Sequence, residues 1–384
     1  MKKTKNLVLL GATGSIGEST LRVIRKHSDK IKLIGISANQ NVQKLLKIAK
    51  EFKVPHASLV QAPNEDFSVP VGTELETGGK SLENLACMQN ADIVVVAVVG
   101  SSGLLPTIAA VNSGKDVVLA NKESLVVGGN LITKAAQKNQ SRIIPADSEH
   151  NAIFQCLHGQ PERSVDSVIL TASGGPFRNL PEDQLINVTV EQALKHPNWS
   201  MGKKITVDSA TMANKGLELI EAKWLFDLSP NQLEVVIHPP SIVHGIVRFL
   251  DGCCLAQMTP PSMTFAMQNA ILYPDRVEGV EPSLDFSQPL DLSFSPPSFE
   301  RYPCLKIARD VLKQGGTAPL IFNASNEVAV DAFLRNRIGF LDISRIIEET
   351  LNDSDYNSSD SVSELLSLDL ESRLLSENHI KRLS

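Results

Sequence analysis

Short apolar runs alternate with longer amphipathic segments through the first third of the chain. The runs are rich in β-branched residues and predict strands, and the segments between them have the spacing of helices. Such an alternation is typical of a parallel α/β sheet. The predicted strands are Lys5–Leu10, Ile31–Ala38, Ala57–Val60, Asp92–Val99 and Asp116–Ala120.

The pattern changes near Pro145, where the loops that follow the strands become rich in Asp, Ser, Glu and Gly. Residues 277–303 are rich in Pro, Ser and Asp and show little periodicity of apolar positions, which indicates an extended connection. Helical spacing returns after this stretch. The predicted C-terminal helices are Leu305–Lys313, Ala318–Asn336, Asp342–Leu351 and Ser361–Leu375.

These shifts predict several folding units, because 384 residues with 42% hydrophobic content exceed what one core comfortably fills. The predicted fold is α/β: a Rossmann-like parallel sheet, an α/β catalytic domain and a C-terminal helical domain. Their predicted bounds are 1–146 for the first domain, 147–276 for the second, 277–303 for the linker and 304–384 for the third.

Composition narrows the class of partner. The net charge of -6 is spread without long like-charge runs, which argues against a nucleic-acid groove or a basic membrane patch. The expected partner is a small molecule. Five scattered cysteines without a CxxC pair argue against a disulfide framework and a thiolate zinc site. With neither a signal or transit sequence nor a bilayer-length apolar run recognised, we expect a cytoplasmic protein.

A glycine-rich turn, residues 11–17 with the sequence GATGSIG, follows the first strand and opens a predicted helix from Glu18 to Lys26. Glycines there permit a tight turn and close backbone approach, and the free N–H groups at a helix start can hold a pyrophosphate. The alternative is a merely structural glycine turn. The strand–turn–helix context favours a dinucleotide site.

The end of the second strand decides between NAD and NADP. An NAD enzyme usually carries an acidic residue there, which binds the ribose hydroxyls. This chain instead has Asn39, Gln40 and Asn41, which cannot repel a 2′-phosphate and offer amide donors. NADP is therefore the predicted cofactor, although these amides could equally make only a turn.

The loop of residues 120–124, ANKES, lies at the carboxyl end of a predicted strand, where open α/β sheets bind ligands. The Lys122 and Glu123 side chains could form only a solvated surface pair. Their position at the sheet edge favours a functional role, together with Asn121.

Asp147 and Glu149 follow the predicted strand 143–146 and precede an apolar helix. Carboxylates at i and i+2 of a strand end can point to the same side, and Mg²⁺ or Mn²⁺ prefers oxygen ligands. The alternative is helix capping by Asp147 or Ser148, with Glu149 favourable in the first helical turn.

A third acidic element lies in residues 208–218, predicted to lead a strand into a helix. On that helix Asn214 and Glu218 are four apart and share one flank, and Lys215 would suit a phosphate. A Lys215–Glu218 pair could also be an ordinary surface salt bridge. Spacing alone leaves Glu221 as a rival third ligand.

Two further loops carry candidate chemistry. Residues 173–176, SGGP, end the predicted strand Val168–Ala172 and could cradle an anion, or could be a plain glycine turn. Residues 196–202, HPNWSMG, display Trp199 and Met201 and suit a lid that excludes water. Trp199 could instead anchor the loop to a core, which is the commoner use of tryptophan.

In combination these segments resemble the 1-deoxy-D-xylulose 5-phosphate reductoisomerase family. The resemblance covers nearly the whole chain. It implies rearrangement and NADPH-dependent reduction of 1-deoxy-D-xylulose 5-phosphate, through an aldehyde, to 2-C-methyl-D-erythritol 4-phosphate, in non-mevalonate isoprenoid precursor biosynthesis. It further implies Mg²⁺ or Mn²⁺, or Co²⁺, and a homodimer. The matching segments are GATGSIG, LANKESLV, PADSEHNAIFQCL, LTASGGPF, HPNWSMGKKITVDSATMANKGLELIEA and VIHPPSIVHG.

The resemblance also assigns roles to residues. It implies Asp147, Glu149 and Glu218 as metal ligands, and thus selects Glu218 over Glu221. It implies that Lys122 and Ser148 touch the substrate and that Trp199 and Met201 close the lid. The implied holders of the substrate and its phosphate are Ser173, His196, Ser209, Asn214 and Lys215. The implied NADPH contacts are Thr13, Gly14, Ser15, Ile16, Asn39, Gln40, Asn41, Asn121, Glu123 and Gly202.

One segment departs from the family pattern. Residues 259–264, TPPSMT, replace a stretch that usually carries Asp and Arg near Ser262 and Thr264. The departure lies outside the expected ligand shell and bears on the usual dimer contact. Two rival functions stay open from the residues alone: a metal-assisted NADP dehydrogenase that does not rearrange its substrate, and a nucleotide-sensing regulator with a degenerate site.

Overall fold

The structure, a computed structural model, describes residues 4–62, 66–199 and 201–383. The strands are β1 Lys5–Leu10, β2 Ile31–Ala38, β3 His56–Leu59, β4 Glu74–Thr77, β5 Ile93–Val96, β6 Asp116–Leu119, β7 Ile143–Pro145, β8 Val165–Ala172, β9 Leu233–Ile237, β10 Val243–Phe249 and β11 Cys254–Met258. The helices are α1 Ser15–Lys26, α2 Val42–Phe52, α3 Ser81–Ala86, α4 Leu104–Asn112, α5 Lys122–Asn139, α6 Ser148–Leu157, α7 Val190–Ala193, α8 Lys203–Thr211, α9 Ala213–Phe226, α10 Met263–Leu272, α11 Pro303–Gln314, α12 Ala318–Leu334, α13 Asp342–Asn352 and α14 Val362–Leu383.

Two compact units make up the chain. The first, called here the nucleotide unit, comprises Met1–Ser124, Leu131–Asn151 and Ser262–Ser283. The second, called here the anion unit, comprises Leu125–Asn130, Ala152–Pro261 and Leu284–Ser384. The four-part division predicted above, with bounds at 146, 276 and 303, stays a prediction.

The nucleotide unit is built on a seven-stranded sheet in the order β4-β3-β2-β1-β5-β6-β7, with every pair parallel. The strand order reverses at β1, which pairs with β2 on one side and β5 on the other, and open α/β sheets bind ligands at such a point. The predicted α/β class is confirmed. The sequence prediction missed β4, because this strand has only four residues and lacks an alternation of apolar and polar positions.

Helix α10 packs against α1 in the nucleotide unit. The Ser262 side chain caps its start by accepting a hydrogen bond from the Thr264 N–H. The Lys5 ammonium donates to the Tyr273 carbonyl oxygen at 2.9 Å, just beyond its end. The segment 259–264, which differs from the family pattern, thus contains the start of this helix. Its fourth residue, Ser262, is the helix cap.

The anion unit contains a mixed four-stranded sheet in the order β11-β10-β8-β9. Strand β8 runs parallel to β9 and antiparallel to β10. Helices α11 to α14 follow and pack on one another, which confirms the predicted helical region at the end of the chain. Of the stretch 277–303, Ser295 forms an isolated antiparallel bridge with Ile237.

One predicted element is wrong: the segment before Asp208 is helix α8 and not a strand. Its Ile205, Thr206 and Val207 favour a strand locally, but burial of Thr206 and Val207 on one helical face overrides that preference. The Thr206 hydroxyl donates to the Gly202 carbonyl oxygen at 2.8 Å, a bond that only helical spacing allows. Asp208 therefore lies near the end of a helix.

Among the helices that the described ranges contain, none is both long enough and apolar enough to cross a lipid bilayer.

Candidate active site

The turn of residues 11–17 joins β1 to α1 at the point where the strand order reverses. Gly11 has φ +89°, and a Cβ there would lie 2.4 Å from the Ala97 carbonyl oxygen beyond β5. A Cβ at Gly17 would lie 2.4 Å from the Ala12 carbonyl oxygen. Both positions therefore require glycine for close backbone approach. Gly14 precedes α1 directly, so the first N–H groups of that helix face outward and fit a pyrophosphate.

Residues after β2 are the predicted contacts of the NADP 2′-phosphate. Asn41 caps α2 by accepting from the Lys44 N–H, so for Asn41 the alternative of a structural amide holds in part. Gln40 donates to the Gln61 side chain, and Asn39 is exposed. The sequence prediction missed Lys44, whose ammonium donates to the Thr13 carbonyl oxygen at 2.9 Å. A basic residue in the first turn of the helix that follows the strand was the available signal.

The loop after β6 is buried and held by its own side chains. Asn121 caps α5 by accepting from the Ser124 N–H, and its amide donates to the Glu123 carboxylate at 3.0 Å. Lys122 and Glu123 are each only 7% exposed, which rules out a solvated surface pair. This loop therefore presents charge at the carboxyl edge of the sheet, where ligands bind.

An acidic pair follows β7. Asp147 and Glu149 each offer a carboxylate oxygen, and these two atoms lie within 4.8 Å of each other. The Lys122 ammonium lies 2.7 Å from Asp147 Oδ2 and compensates its charge, since the two side chains are only 9% and 13% exposed. Ser148 donates to the Glu149 carboxylate. Two close hard oxygens from different side chains fit Mg²⁺ or Mn²⁺.

Asp147 also occupies a helix-capping position, as the alternative proposed, because its carbonyl oxygen accepts the Asn151 N–H at 2.8 Å. Its carboxylate nonetheless pairs with Lys122. The sequence prediction missed His150, a fully buried imidazole whose Nδ1 lies 3.9 Å from Asp147 Oδ2. The i, i+3 spacing from Asp147 could have indicated it.

Helix α9 carries the third acidic candidate. The Glu218 carboxylate accepts from the Asn214 amide and from the Lys215 ammonium, each at 2.5 Å. Glu218 is fully buried and Lys215 is 3% exposed, so the alternative of an ordinary surface salt bridge is wrong. Glu221 is also fully buried. Gly216 lets α11 approach closely, because a Cβ there would lie 2.4 Å from the Ala308 Cβ.

A histidine organises two hydroxyls in the anion unit. His196 Nε2 lies 3.0 Å from Ser173 Oγ and 3.1 Å from Ser209 Oγ. Its Nδ1 accepts the backbone N–H groups of Asn198 and Trp199, at 3.2 and 3.0 Å. Nδ1 is therefore unprotonated, and the imidazole proton resides on Nε2 and is donated toward the two serines.

Burial, and then the nearby Arg178 guanidinium, lower the pKa of His196 to about 4. The imidazole is neutral at pH 7. Ser173 Oγ also accepts the Gly175 N–H at 3.2 Å, so its two lone pairs meet two donors. Its own proton is thereby left for donation to another acceptor. The turn of residues 173–176 is therefore not a plain glycine turn. The sequence prediction missed Arg178, which contributes to the lowered pKa of His196.

Residues 196–199 are anchored in this structure. The Trp199 ring packs edge-on against His244, with ring centroids 6.2 Å apart. The Asn198 amide donates to the Pro239 carbonyl oxygen at 2.6 Å. These contacts match the alternative in which Trp199 serves as an anchor, and the lid role of Trp199 and Met201 stays a prediction. Ser200 lies outside the described residues, and Gly202 precedes α8.

Three family models match the chain. One described as 1-deoxy-D-xylulose 5-phosphate reductoisomerase matches residues 7–129. A second, described as 1-deoxy-D-xylulose 5-phosphate reductoisomerase C-terminal domain, matches residues 143–226. A third, described as DXP reductoisomerase C-terminal domain, matches residues 258–375.

Proteins named 1-deoxy-D-xylulose 5-phosphate reductoisomerase resemble the chain over nearly its full length. One from Tolumonas auensis is 45% identical and covers 98% of the chain and 99% of its own length. One from Clostridium novyi is 44% identical and covers 97% of the chain and 99% of its own length.

Solved structures of similar proteins match the fold of this chain. That of the Zymomonas mobilis enzyme in complex with NADPH is 39% identical, with a TM-score of 0.90, and the match covers 98% of this chain and 99% of that one. A DOX-P reductoisomerase structure in complex with NADPH, fosmidomycin and magnesium is 38% identical, with a TM-score of 0.92, and the match covers 99% of both chains.

Proposed function

Because the chain belongs to the 1-deoxy-D-xylulose 5-phosphate reductoisomerase family, we infer that it converts 1-deoxy-D-xylulose 5-phosphate to 2-C-methyl-D-erythritol 4-phosphate with NADPH and a divalent metal. This reaction belongs to non-mevalonate isoprenoid precursor biosynthesis. The observation that carries the inference is the near-complete coverage of both chains at 44–45% identity. The substrate of this reaction, a sugar phosphate, is a small molecule.

We propose Asp147, Glu149 and Glu218 as the metal ligands. The close oxygens of Asp147 and Glu149 support the first two assignments. The buried Glu218 carboxylate, whose charge Lys215 balances, supports the third. A bound cation supplies Lewis-acid polarisation of the substrate's carbonyl and hydroxyl oxygens, and NADPH supplies the hydride.

The substrate phosphate is proposed to lie against the Ser173 and Ser209 hydroxyls, with Asn214 and Lys215 nearby. His196 Nε2 lies within hydrogen-bond distance of both hydroxyls, and the Gly175 N–H gives the Ser173 oxygen a second donor, which supports this assignment. Phosphate contacts far from the reacting carbons orient the substrate and lower the barrier indirectly. Lys122 and Ser148, beside the acidic pair, are proposed to contact the reacting end of the substrate.

The cofactor is proposed to bind along the carboxyl edge of the parallel sheet. The outward N–H groups at the start of α1 would hold the pyrophosphate. The proposed contacts are Thr13, Gly14, Ser15, Ile16, Asn39, Gln40, Asn41, Asn121, Glu123 and Gly202. Closure of the loop bearing Trp199 and Met201 would exclude water from the hydride transfer.

Turnover and product analysis test the function. Purified protein, NADPH, Mn²⁺ and 1-deoxy-D-xylulose 5-phosphate should together consume the nicotinamide absorbance, and a chelator should stop the reaction. The product should carry a branched carbon skeleton. An unbranched product would instead indicate a simple metal-assisted dehydrogenase, and NADPH binding without turnover would indicate a nucleotide sensor.

Glu149→Gln tests the metal assignment. Replacing one charged oxygen by an amide should weaken the cation site and nearly abolish turnover, while the dissociation constant for NADPH stays unchanged. The exposed Glu162→Gln is the matched control and should keep full activity. A fully active Glu149→Gln enzyme would contradict the ligand assignment.

We also propose a cytoplasmic homodimer. Five free cysteines suit a reducing compartment. Strand β11 lies at the sheet edge with Leu255 43% exposed, and such an edge favours pairing with a second copy. Light scattering on the purified protein should give twice the chain mass, and a monomeric mass at assay concentration would contradict the proposal.

A further inference from the structure

Tyr302 lies immediately before α11, far in sequence from the candidate site residues, yet it contacts the anion turn of residues 173–176. Its side chain is buried, with 2% exposure, and its hydroxyl donates to the Gly174 carbonyl oxygen at 2.9 Å. Burial raises the pKa of the Tyr302 phenol above its ordinary value of 10.0. The phenol is therefore protonated at neutral pH and acts as a hydrogen-bond donor.

The carbonyl that Tyr302 holds belongs to the peptide group between Gly174 and Gly175. The other end of this group, the Gly175 N–H, donates to Ser173 Oγ at 3.2 Å. In a trans peptide the C=O and N–H point in opposite directions. By fixing the carbonyl on one side, Tyr302 fixes the direction of the N–H on the other.

This peptide group needs such a constraint because both of its residues are glycines with positive φ, +81° at Gly174 and +69° at Gly175. Glycine populates positive and negative φ about equally, so rotation of a Gly–Gly peptide costs little. A rotated peptide would turn a carbonyl oxygen toward Ser173. The Ser173 hydroxyl would then donate its proton to that oxygen and not to a ligand.

The Ser173 proton is available only while its oxygen accepts from elsewhere. His196 Nε2 supplies one donor at 3.0 Å and the Gly175 N–H supplies the other. We propose that Tyr302 is a positioning residue for anion binding, which acts through the Gly174–Gly175 peptide to keep the Ser173 hydroxyl as a donor. That the anion is the substrate's phosphate rests on the proposed function.

Neighbouring contacts hold the loop after the turn independently of the Tyr302 hydroxyl. The Arg301 guanidinium donates to the carbonyl oxygens of Phe177 and Leu180, at 2.9 and 2.7 Å. Removing one hydroxyl by Tyr302→Phe should therefore leave the chain folded. The aromatic ring, which contributes most of the buried apolar area, is kept.

The experiment is a double-mutant cycle on the binding of inorganic phosphate to the full chain, measured by calorimetry at pH 7. A single hydrogen bond contributes about 1 kcal/mol, so Tyr302→Phe should weaken phosphate binding roughly five-fold. In a Ser173→Ala background the same change should alter the affinity by less than about two-fold, because the two residues act as one unit.

Tyr356→Phe is the matched control. It removes a tyrosine hydroxyl that donates to the Leu351 carbonyl oxygen in the same unit, away from the anion turn. It should leave phosphate affinity unchanged. In turnover, Tyr302→Phe should raise KM for the sugar phosphate and leave KM for NADPH as it was.

Three results would overturn the proposal: independent, multiplicative effects of Tyr302→Phe and Ser173→Ala; a lower Tm for Tyr302→Phe with unchanged phosphate affinity; or a wild-type chain that does not bind phosphate. Failure of the proposed function looks different. A wild-type chain that binds phosphate with the expected dependence on Tyr302 but never turns over the sugar phosphate would refute only the assigned reaction.

Discussion

Two turns in this protein follow strands and are proposed to bind anions, yet they are made in different ways. The turn of residues 11–17 uses the backbone: its glycines allow the chain to pass close to Ala97 and to open α1. The turn of residues 173–176 uses side chains that come from elsewhere. His196 and Tyr302 set the direction of the Ser173 hydroxyl from outside that turn.

The two turns should therefore differ in how they respond to substitutions. A backbone cradle depends on the absence of side-chain atoms at a few positions, so a single methyl group can close it. A hydroxyl cradle depends on several hydrogen bonds, each of which contributes a modest part of the affinity. Substitutions should therefore act abruptly in the first turn and gradually in the second.

Of the changes that compare the two turns, Gly17→Ala is expected to have the largest effect. The added methyl group would lie 2.4 Å from the Ala12 carbonyl oxygen, so the turn must shift before the helix start can hold a pyrophosphate. Overpacking of this kind costs about 1–3 kcal/mol, and a clash with backbone atoms lies at the upper end, so NADPH affinity should fall on the order of 100-fold. Fluorescence titration of NADPH measures it.

Gly79→Ala is the control for this substitution, because a Cβ at Gly79 meets nothing within 4 Å. It should bind NADPH like the wild-type chain. If Gly17→Ala bound NADPH equally well, the backbone account of the first turn would be wrong.

A smaller effect is expected from His196→Ala. Both serine hydroxyls lose the donor on Nε2, so their protons are free to satisfy each other or water. The two hydroxyls share the single Nε2 proton, and a shared hydrogen bond of about 1–2 kcal/mol corresponds to roughly a 5- to 30-fold loss in kcat/KM for the sugar phosphate. Steady-state kinetics measure this loss, and NADPH affinity should stay unchanged.

His56→Ala removes an imidazole that is partly exposed in the nucleotide unit, and it should leave kcat/KM unaltered. A His196→Ala enzyme with normal kcat/KM would show that the serines hold their orientation without the histidine. The contrast between the two turns would then disappear.

The smallest effect concerns stability. The pKa of His196 is about 4 in the folded chain and close to 6.5 when unfolded, so the unfolded chain binds more protons between these values. The free energy of unfolding should therefore fall as pH is lowered from 6.5 to 4, with a His196 contribution of about 1 kcal/mol after solvent screening.

Denaturant unfolding of wild-type and His196→Gln chains at pH 7 and at pH 4.5 measures this contribution. The variant should lose less stability between the two values, because glutamine does not titrate. An equal loss in both chains would show that His196 does not carry this part of the pH dependence.

Much of the fold could be predicted because its signals are local. The strands β1 and β2 have the predicted bounds, and helix α13 differs from its prediction by one residue. The prediction failed where local preference and burial disagree. Residues 203–207 contain β-branched side chains typical of a strand, but they form part of α8 because one face is buried there.

The candidate site divides in the same way. The glycine turn of residues 11–17 and the pairing of Asn214 and Lys215 with Glu218 follow from spacing within a few residues, which a sequence displays directly. Lys44, His150, Arg178 and Tyr302 gave weak signals or none. Their partners lie at other points of the chain, or their role appears only once burial is known.

The sequence by itself determined the alternating α/β architecture, the place of the glycine turn proposed for the dinucleotide and the residue types proposed for a metal and a phosphate. Periodicity and glycine spacing are properties of neighbouring residues, and they need no folded context. The tertiary structure alone decided that Lys122 neutralises Asp147 and that Tyr302 orients the peptide beside Ser173. Hydrogen bonds and charge pairs act over a few ångströms in space, and only the folded chain sets those distances.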